Sequence, residues 1–318
     1  MTRMKKGLLG LLGLILFSIA SVFAMIWLFP VPSTEFAIDL ERRASGLEHR
    51  QLSLPDGTRY HYLIGGQGEP LLLLHGFGAN KDNFTRIARQ LTSHYRVIVP
   101  DHIGFGESSR PQPADYRAAA QAERLHQFVQ QLPNENIQQL HLGGSSMGGH
   151  IALAYAARYP EQVQSLWLLD PGGVWSAPKA EAFEIEAKTG VFPLLVSTVE
   201  DYQRVYEMAM SEPPYVPAPM LAVMAQPSID NRALEAQIFE QISNDPIEER
   251  AKQITAPALI VWGTEDRLLS PKAGEILHAL MPNSQLLYMQ GIGHLPMLED
   301  VKQTATDYLA FRAGLPAK

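Results

Sequence analysis

The chain has 318 residues, 46% of them hydrophobic and 19% charged, with a formal net charge of −7 from 33 acidic residues against 26 Lys and Arg. That length and apolar content exclude a disordered chain and suit one large α/β domain with an addition. The acidic balance excludes nucleic acid as a partner, because phosphate binding needs clustered cations. Cysteine is absent, which excludes disulfides, thiolate metal sites and cysteine nucleophiles.

In chain order, Arg3, Lys5 and Lys6 precede an uncharged run from Gly7 to Phe29 that stops at Pro30 and Pro32. At about 1.5 Å per residue this run makes a helix of roughly 34 Å, enough to cross a hydrocarbon core of about 30 Å. Ser18-Ile19-Ala20 and Val22-Phe23-Ala24 offer cleavage spacing, but the run outlasts the 7–15 residues or so of a cleaved signal core. The expectation is a transmembrane signal anchor over 7–29 that contacts the lipid bilayer, with a cytoplasmic stretch 1–6 before it and a tether 30–46 after it. The leading cations put the N-terminus in the cytoplasm and the body on the extracytoplasmic side, the periplasmic face of the inner membrane in a bacterium. Without those three cations the remainder carries −10, so the helix and not surface charge must hold the lipid.

Leu47–Leu54 and Thr58–Gly65 flank the turn Pro55-Asp56-Gly57 and predict a hairpin. Leu71–Leu74, Val97–Val99, Leu140–Leu142, Val163–Leu169, Ala258–Trp262 and Gln285–Met289 are short apolar runs of the kind buried in a parallel sheet, and most are separated by helix-length segments. Alternating strands and helices give an α/β layered fold. Residues 47–174 and 251–318 form its core. Residues 175–250 lack a strand run and read as a helical cap, broken by Pro213, Pro214, Pro217 and Pro219.

Gly144-Ser145-Ser146-Met147-Gly148 falls between the strand ending near Leu142 and a helical stretch. This is the context of a nucleophile elbow, in which small neighbours let the central residue take a strained backbone conformation. Ser146 is the candidate nucleophile, and Ser145 is its structural neighbour. A serine hydroxyl needs a base, and the base needs an orienting carboxylate. His294, in Gly291-Ile292-Gly293-His294, follows the last strand, and Asp266 follows the strand Ala258–Trp262. Asp170 is the fallback acid, while Glu265 is expected to point elsewhere. His75-Gly76-Phe77-Gly78 follows the strand Leu71–Leu74, so the N–H groups of Phe77 and Met147 are the candidate oxyanion hole. His75 reads as a buried histidine bonded to backbone, Asp101 as a loop brace, and His126 and His278 as helical residues without a partner. No histidine–carboxylate set has metal-ligand spacing in the sequence, so no metal is expected.

These motifs together resemble the α/β-hydrolase family over residues 47–315. Within it, the chain is similar to membrane-anchored monoacylglycerol lipases and their bacterial lipase relatives. The likeness rests on His75-Gly76-Phe77 with Lys81-Asp82, on Leu125-His126-Gln127-Phe128-Val129, on Ser146-Met147-Gly148-Gly149, on Trp262-Gly263 with Asp266, and on Gly293-His294. It implies an α/β-hydrolase fold with a mostly parallel sheet, helices on both faces, a helical cap and one preceding transmembrane helix. It also implies Ser146, Asp266 and His294 as catalytic residues, Phe77 and Met147 as the oxyanion hole, and no cofactor. Phe77, Met147 and Leu295 would meet a small-molecule or lipid ester substrate. Phe183, Ile185, Phe192, Leu194, Leu195, Met208, Met210, Met220 and Met224 would shape the cap.

Rival activities on the same triad are a carbon–carbon bond hydrolase acting on ring-cleavage diketones and a cofactor-free haloperoxidase or perhydrolase. The first resembles this chain at Pro171-Gly172-Gly173 and Asp266-Arg267, but usually has Trp where Leu295 stands. Epoxide hydrolases and haloalkane dehalogenases are disfavoured by Ser146 at the elbow. A binding protein on this fold would be expected to carry a broken triad, and all three positions are intact.

Overall fold

The computed structural model describes residues 3–315; the first two residues of the expected 1–6 stretch and the last three of the expected core lie outside them. Eight strands form one sheet: β1 (Leu47–Ser53), β2 (Arg59–Gly65), β3 (Glu69–Leu74), β4 (Tyr95–Pro100), β5 (Leu140–Ser145), β6 (Val163–Leu169), β7 (Ala258–Gly263) and β8 (Ser284–Met289), in the order β1-β2-β4-β3-β5-β6-β7-β8. The hairpin β1–β2 is antiparallel, with Leu47 opposite Gly65 and Ser53 opposite Arg59, and β2 is antiparallel to β4. Every other pairing is parallel. The turn between β1 and β2 uses Gly57 at φ +85°, a conformation that glycine adopts without a Cβ clash.

The helices are α1 (Arg3–Leu28), α2 (Pro30–Ala44), α3 (Thr85–Leu91), α4 (Ala118–Gln130), α5 (Met147–Arg158), α6 (Glu181–Thr189), α7 (Val199–Ala209), α8 (Ala218–Ser243), α9 (Glu248–Ala251), α10 (Lys272–Leu280), α11 (Pro296–Glu299) and α12 (Val301–Ala313). Because β3 to β7 are buried on both faces, they separate two apolar layers. One joins the sheet to α4, α5, α8 and α10 through residues such as Leu72, Leu125, Ile151, Ile238 and Leu277. The other joins it to α3 and α12 through Leu71, Ile87, Trp167 and Tyr308, whose rings stack at 4.2 Å between centroids. A third cluster lies in the 175–250 interval and includes Ala182, Phe192, Met208 and Ala209, with Leu268 from the loop after β7. Pro213, Pro214 and Pro217 fall between α7 and α8, whereas Pro219 sits in the first turn of α8, where a missing N–H costs nothing. Pro227 lies inside α8.

Where the sequence predicts a tether, residues 30–44 instead form the helix α2, begun by Pro30 in its first turn. It docks on the body: Arg42 gives a two-pronged ion pair to Asp82 at 2.7 Å on each arm, and the Ser45 hydroxyl donates to the Thr85 carbonyl at 2.6 Å. α1 is of a different kind. Its stretch Leu11–Leu28 has a mean hydropathy of 2.5 and none of it is buried, so it is no core helix of the body.

Two close approaches fix the fold near the elbow. A Cβ on Gly148 in α5 would lie 2.1 Å from the Leu74 carbonyl oxygen, so this helix rests directly on the end of β3. The loop after β3 is tied to the loop after β4 by His75, whose Nδ1 bonds the Gly76 carbonyl at 2.8 Å and whose Nε2 accepts from the His102 N–H at 3.0 Å. That pairing requires a neutral ring. Burial pushes His75 and His150 down to about 4, and His102 well below its ordinary value for the same first reason. Asp170 and Glu235 are displaced upward by burial, so they oppose the histidines in acid.

Gly148→Ala is expected to lower stability by about 1–3 kcal/mol through overpacking, seen as a lower urea midpoint at unchanged slope. A histidine depressed on folding contributes stability that is complete above its unfolded value near 6.5 and lost as pH falls through that value toward about 4. His75→Gln should therefore flatten the loss of unfolding free energy between about pH 6.5 and pH 4, by up to about 1.4 kcal/mol per pH unit. Equal slopes in urea titrations of the two proteins would overturn this.

Candidate active site

Ser146 stands between the end of β5 and the start of α5 with φ 55° and ψ −120°, a region that costs a non-glycine residue on the order of 1–3 kcal/mol. Its backbone is held on both sides. The Ser146 N–H donates to the Leu169 carbonyl at 3.0 Å, and its carbonyl accepts from His150 at 3.0 Å and from Gly172 at 2.8 Å. The side chain of Ser145 is fully buried, whereas Ser146 is half-buried. Gly76 lies so close that a Cβ there would be 3.2 Å from the Ser146 Cβ and 3.8 Å from its Oγ. The loop bearing Phe77 thus runs beside the serine. Met147 is the first residue of α5, so its N–H lacks an intrahelical partner. Among the described residues, the Phe77 N–H donates to no other backbone group.

Asp266 and His294 come together from the loops after β7 and β8. His294 Nδ1 is 2.7 Å from Asp266 Oδ2, and both residues are buried. Asp266 also accepts from Trp262 Nε1 at 3.1 Å and from the N–H groups of Leu268 and Leu269 at 2.8 and 3.0 Å. With Nδ1 donating to Asp266, Nε2 is the ring nitrogen left to accept a proton. Among the described residues, the hydrogen bond His294 makes through its side chain is the one to Asp266, and no bond joins it to Ser146 Oγ. Such bonds often tighten only around bound substrate.

Asp170 lies beside this pair, with ligand atoms of Asp170, Asp266 and His294 all within 4.8 Å of one another. Its Oδ1 accepts from the Gly263 N–H at 2.9 Å, and burial, followed by the charge of Asp266, holds it well above the usual carboxylate range. Through this bond Asp170 braces the end of β7. Glu265 is exposed, with its N–H on the Ile292 carbonyl at 2.9 Å.

Sequence reasoning missed the groups that hold the histidine loop. Glu299 Oε2 accepts from Gly293 at 3.0 Å and from Ser211 at 2.7 Å, and Oε1 accepts from Leu295 at 3.2 Å. The His294 N–H donates to the Ala209 carbonyl at the end of α7, at 2.8 Å. These bonds pin the loop to the helical insertion. The only sequence signal for Glu299 is an acid in the first turn of a short helix, which reads as a dipole partner. His126 and His278, expected without partners, have them: His126 Nδ1 is 3.0 Å from Gln162 Oε1 and its ring stacks on Tyr159, and His278 Nδ1 is 2.8 Å from Ser284 Oγ.

The candidate substrate contacts differ in exposure. Phe77 meets Phe105 and Phe239 edge to face at 5.5 and 5.7 Å, and Phe239 stacks on Phe192 at 4.0 Å. Leu295 packs against the Phe192 and Met208 cluster. The Met147 side chain is buried in the layer between sheet and helices. Asp101 accepts from the Lys81 N–H at 2.7 Å, from Lys81 Nζ at 2.9 Å and from the Glu107 N–H at 2.8 Å, so it does brace loops.

The fold as a whole has relatives among known proteins. The family model described as the alpha/beta hydrolase fold matches residues 69–301. Lipase 3 of Moraxella sp. (strain TA144) is 47% identical over 290 residues, covering 90% of this chain and 91% of that protein. The monoacylglycerol lipase ABHD6 of Mus musculus is 29% identical over 287 residues, covering 85% and 84%. The crystal structure of a membrane phospholipase A, called a bacterial virulence factor, superposes with a TM-score of 0.86 at 39% identity over 98% of each chain. The chain belongs to the alpha/beta hydrolase fold family.

Proposed function

We propose that this protein is a membrane-anchored serine hydrolase that cleaves carboxylic esters of monoacylglycerols or related lipids. The observation that carries the reading is the 2.7 Å bond between His294 and a four-donor Asp266, beside Asp170, with Ser146 at positive φ bonded to the adjacent Leu169. Relatives named lipase and monoacylglycerol lipase support ester hydrolysis.

In this mechanism His294 Nε2 takes the proton as Ser146 Oγ attacks the ester carbonyl, and Asp266 stabilises the imidazolium that results. The N–H groups of Phe77 and Met147 meet the oxyanion, each worth roughly 3–4 kcal/mol in the transition state. His294 then returns the proton to the leaving alcohol, and water repeats the sequence on the acyl-enzyme. The ring cluster of Phe77, Phe192 and Phe239 with Leu295 offers apolar surface for an acyl chain. α1 crosses the bilayer with its N-terminus in the cytoplasm, and the body lies on the extracytoplasmic side. The apolar length, the absence of burial over Leu11–Leu28 and the leading cations support this.

Ser146→Ala should lower kcat for a monoacylglycerol by about 10⁴-fold or more and abolish fluorophosphonate labelling. Equal labelling of the two proteins would remove Ser146 from the site. In a panel of mono- and triacylglycerols, nitrophenyl esters and one ring-cleavage diketone, ester turnover is expected to exceed diketone turnover, and the reverse would overturn the ester reading. The full chain should sediment with membranes and keep its N-terminus. Recovery in the soluble fraction with a new N-terminus near Ser21 or Met25 would refute the anchor.

A further inference from the structure

Outside the candidate active site, one cluster of metal-ligating side chains stands apart among the described residues. His49 on β1 and His61 on β2 lie diagonally across the hairpin, since Gln51 is the residue opposite His61. Glu107 comes from the loop after β4. His61 Nδ1 is 3.2 Å from His49 Nε2, and Glu107 Oε2 is 3.4 Å from the first nitrogen and 3.6 Å from the second. A tetrahedral zinc ion with ligands at about 2.0–2.1 Å separates them by roughly 3.3–3.4 Å. The three edges therefore match a metal's coordination face, and both imidazole and carboxylate are ordinary zinc ligands.

The carboxylate is preset for this role. Lys81 Nζ holds Glu107 Oε1 at 2.7 Å, and the Glu107 N–H donates to Asp101, which leaves Oε2 toward the two rings. The loop itself is fastened along β2: the His61 N–H donates to Ser108 Oγ and the Arg59 N–H to Ser109 Oγ, each at 2.9 Å. Lys81 is shared between Glu107 and Asp101, and Arg42, 4.0 Å from Glu107 Oε1, is paired with Asp82 at 2.7 Å, so three carboxylates face two cations. Glu107 thus supplies a net negative charge where the rings converge. The site faces solvent on one side, since Glu107 and His49 are exposed, so a fourth ligand can be water.

We propose that His49, His61 and Glu107 form a zinc site, with water as the fourth ligand, that clamps the β1–β2 hairpin to the loop after β4. Its role is structural. It extends the Lys81–Asp101 brace, whose Asp101 precedes the His102 bonded to His75 at the head of the Phe77 loop.

The test is calorimetric titration of ZnCl2 into detergent-solubilised full-length protein freed of metal by a chelator. One zinc per chain is expected, and His49→Gln and His61→Gln should each weaken it by about 10–100-fold. Glu107→Gln keeps the shape of the loop and should also weaken binding, while His278→Gln should not. CoCl2 in place of zinc should give the visible absorption of a tetrahedral ion in the wild type and in His278→Gln, and not in the His49→Gln/His61→Gln double variant. Circular dichroism establishes that each variant is folded. Zinc binding of equal affinity in the wild type and the folded His49→Gln/His61→Gln double variant, or none in the wild type, would overturn the proposal.

Discussion

The close seat of α5 on the sheet is the constraint from which the rest of the site follows. Gly148 meets the Leu74 carbonyl with no room for a side chain, and that contact brings the start of α5 to the end of β3. The chain must turn from β5 into this helix within one residue, and Ser146 takes φ 55° as a consequence. Three backbone bonds, to Leu169, His150 and Gly172, resist its relaxation. The same contact brings Gly76, in the loop after β3, against Ser146. Strain at Ser146 is thus a result of how closely helix and sheet pack.

A second coupling joins the histidine loop to the helical insertion. His294 is oriented by Asp266 through its side chain and by Ala209 through its backbone. Glu299 gathers Gly293, Leu295 and Ser211 with one carboxylate. A movement of α7 would therefore move the base. The placement of His294 is thus linked to the insertion by these few hydrogen bonds.

The N-terminal part divides into two helices with opposite behaviour. α1 is apolar and unburied, whereas α2 is bound to the body by Arg42, Ser45 and the contacts of Glu41 with Arg86. A flexible tether would let the body move independently of α1. A docked α2 instead fixes the start of the body near the exit of α1, and it packs beside α8, the longest helix of the insertion.

The sequence by itself determined the α/β class, the hairpin, most strand positions and the chemistry on offer, because buried parallel strands are continuous apolar runs and an elbow needs Gly144 and Gly148 around Ser146. Local chemistry of that kind is written in adjacent residues. What only the tertiary structure decided is which distant groups meet. Asp170 and Asp266 both follow strands that end at one sheet edge, and only the fold shows four donors on Asp266 and a single backbone donor on Asp170. Ala209 and Ser211 meet the histidine loop and Glu299 from the end of α7, far away in the chain, so no spacing announces them. α2 formed where a tether was expected, since its ion pair with Asp82 links residues 40 apart. His49, His61 and Glu107 were likewise separate in the chain until the hairpin and the loop after β4 were laid side by side. Periodicity reports which face of an element is buried, but the partner across that face is chosen by the packing of the whole sheet.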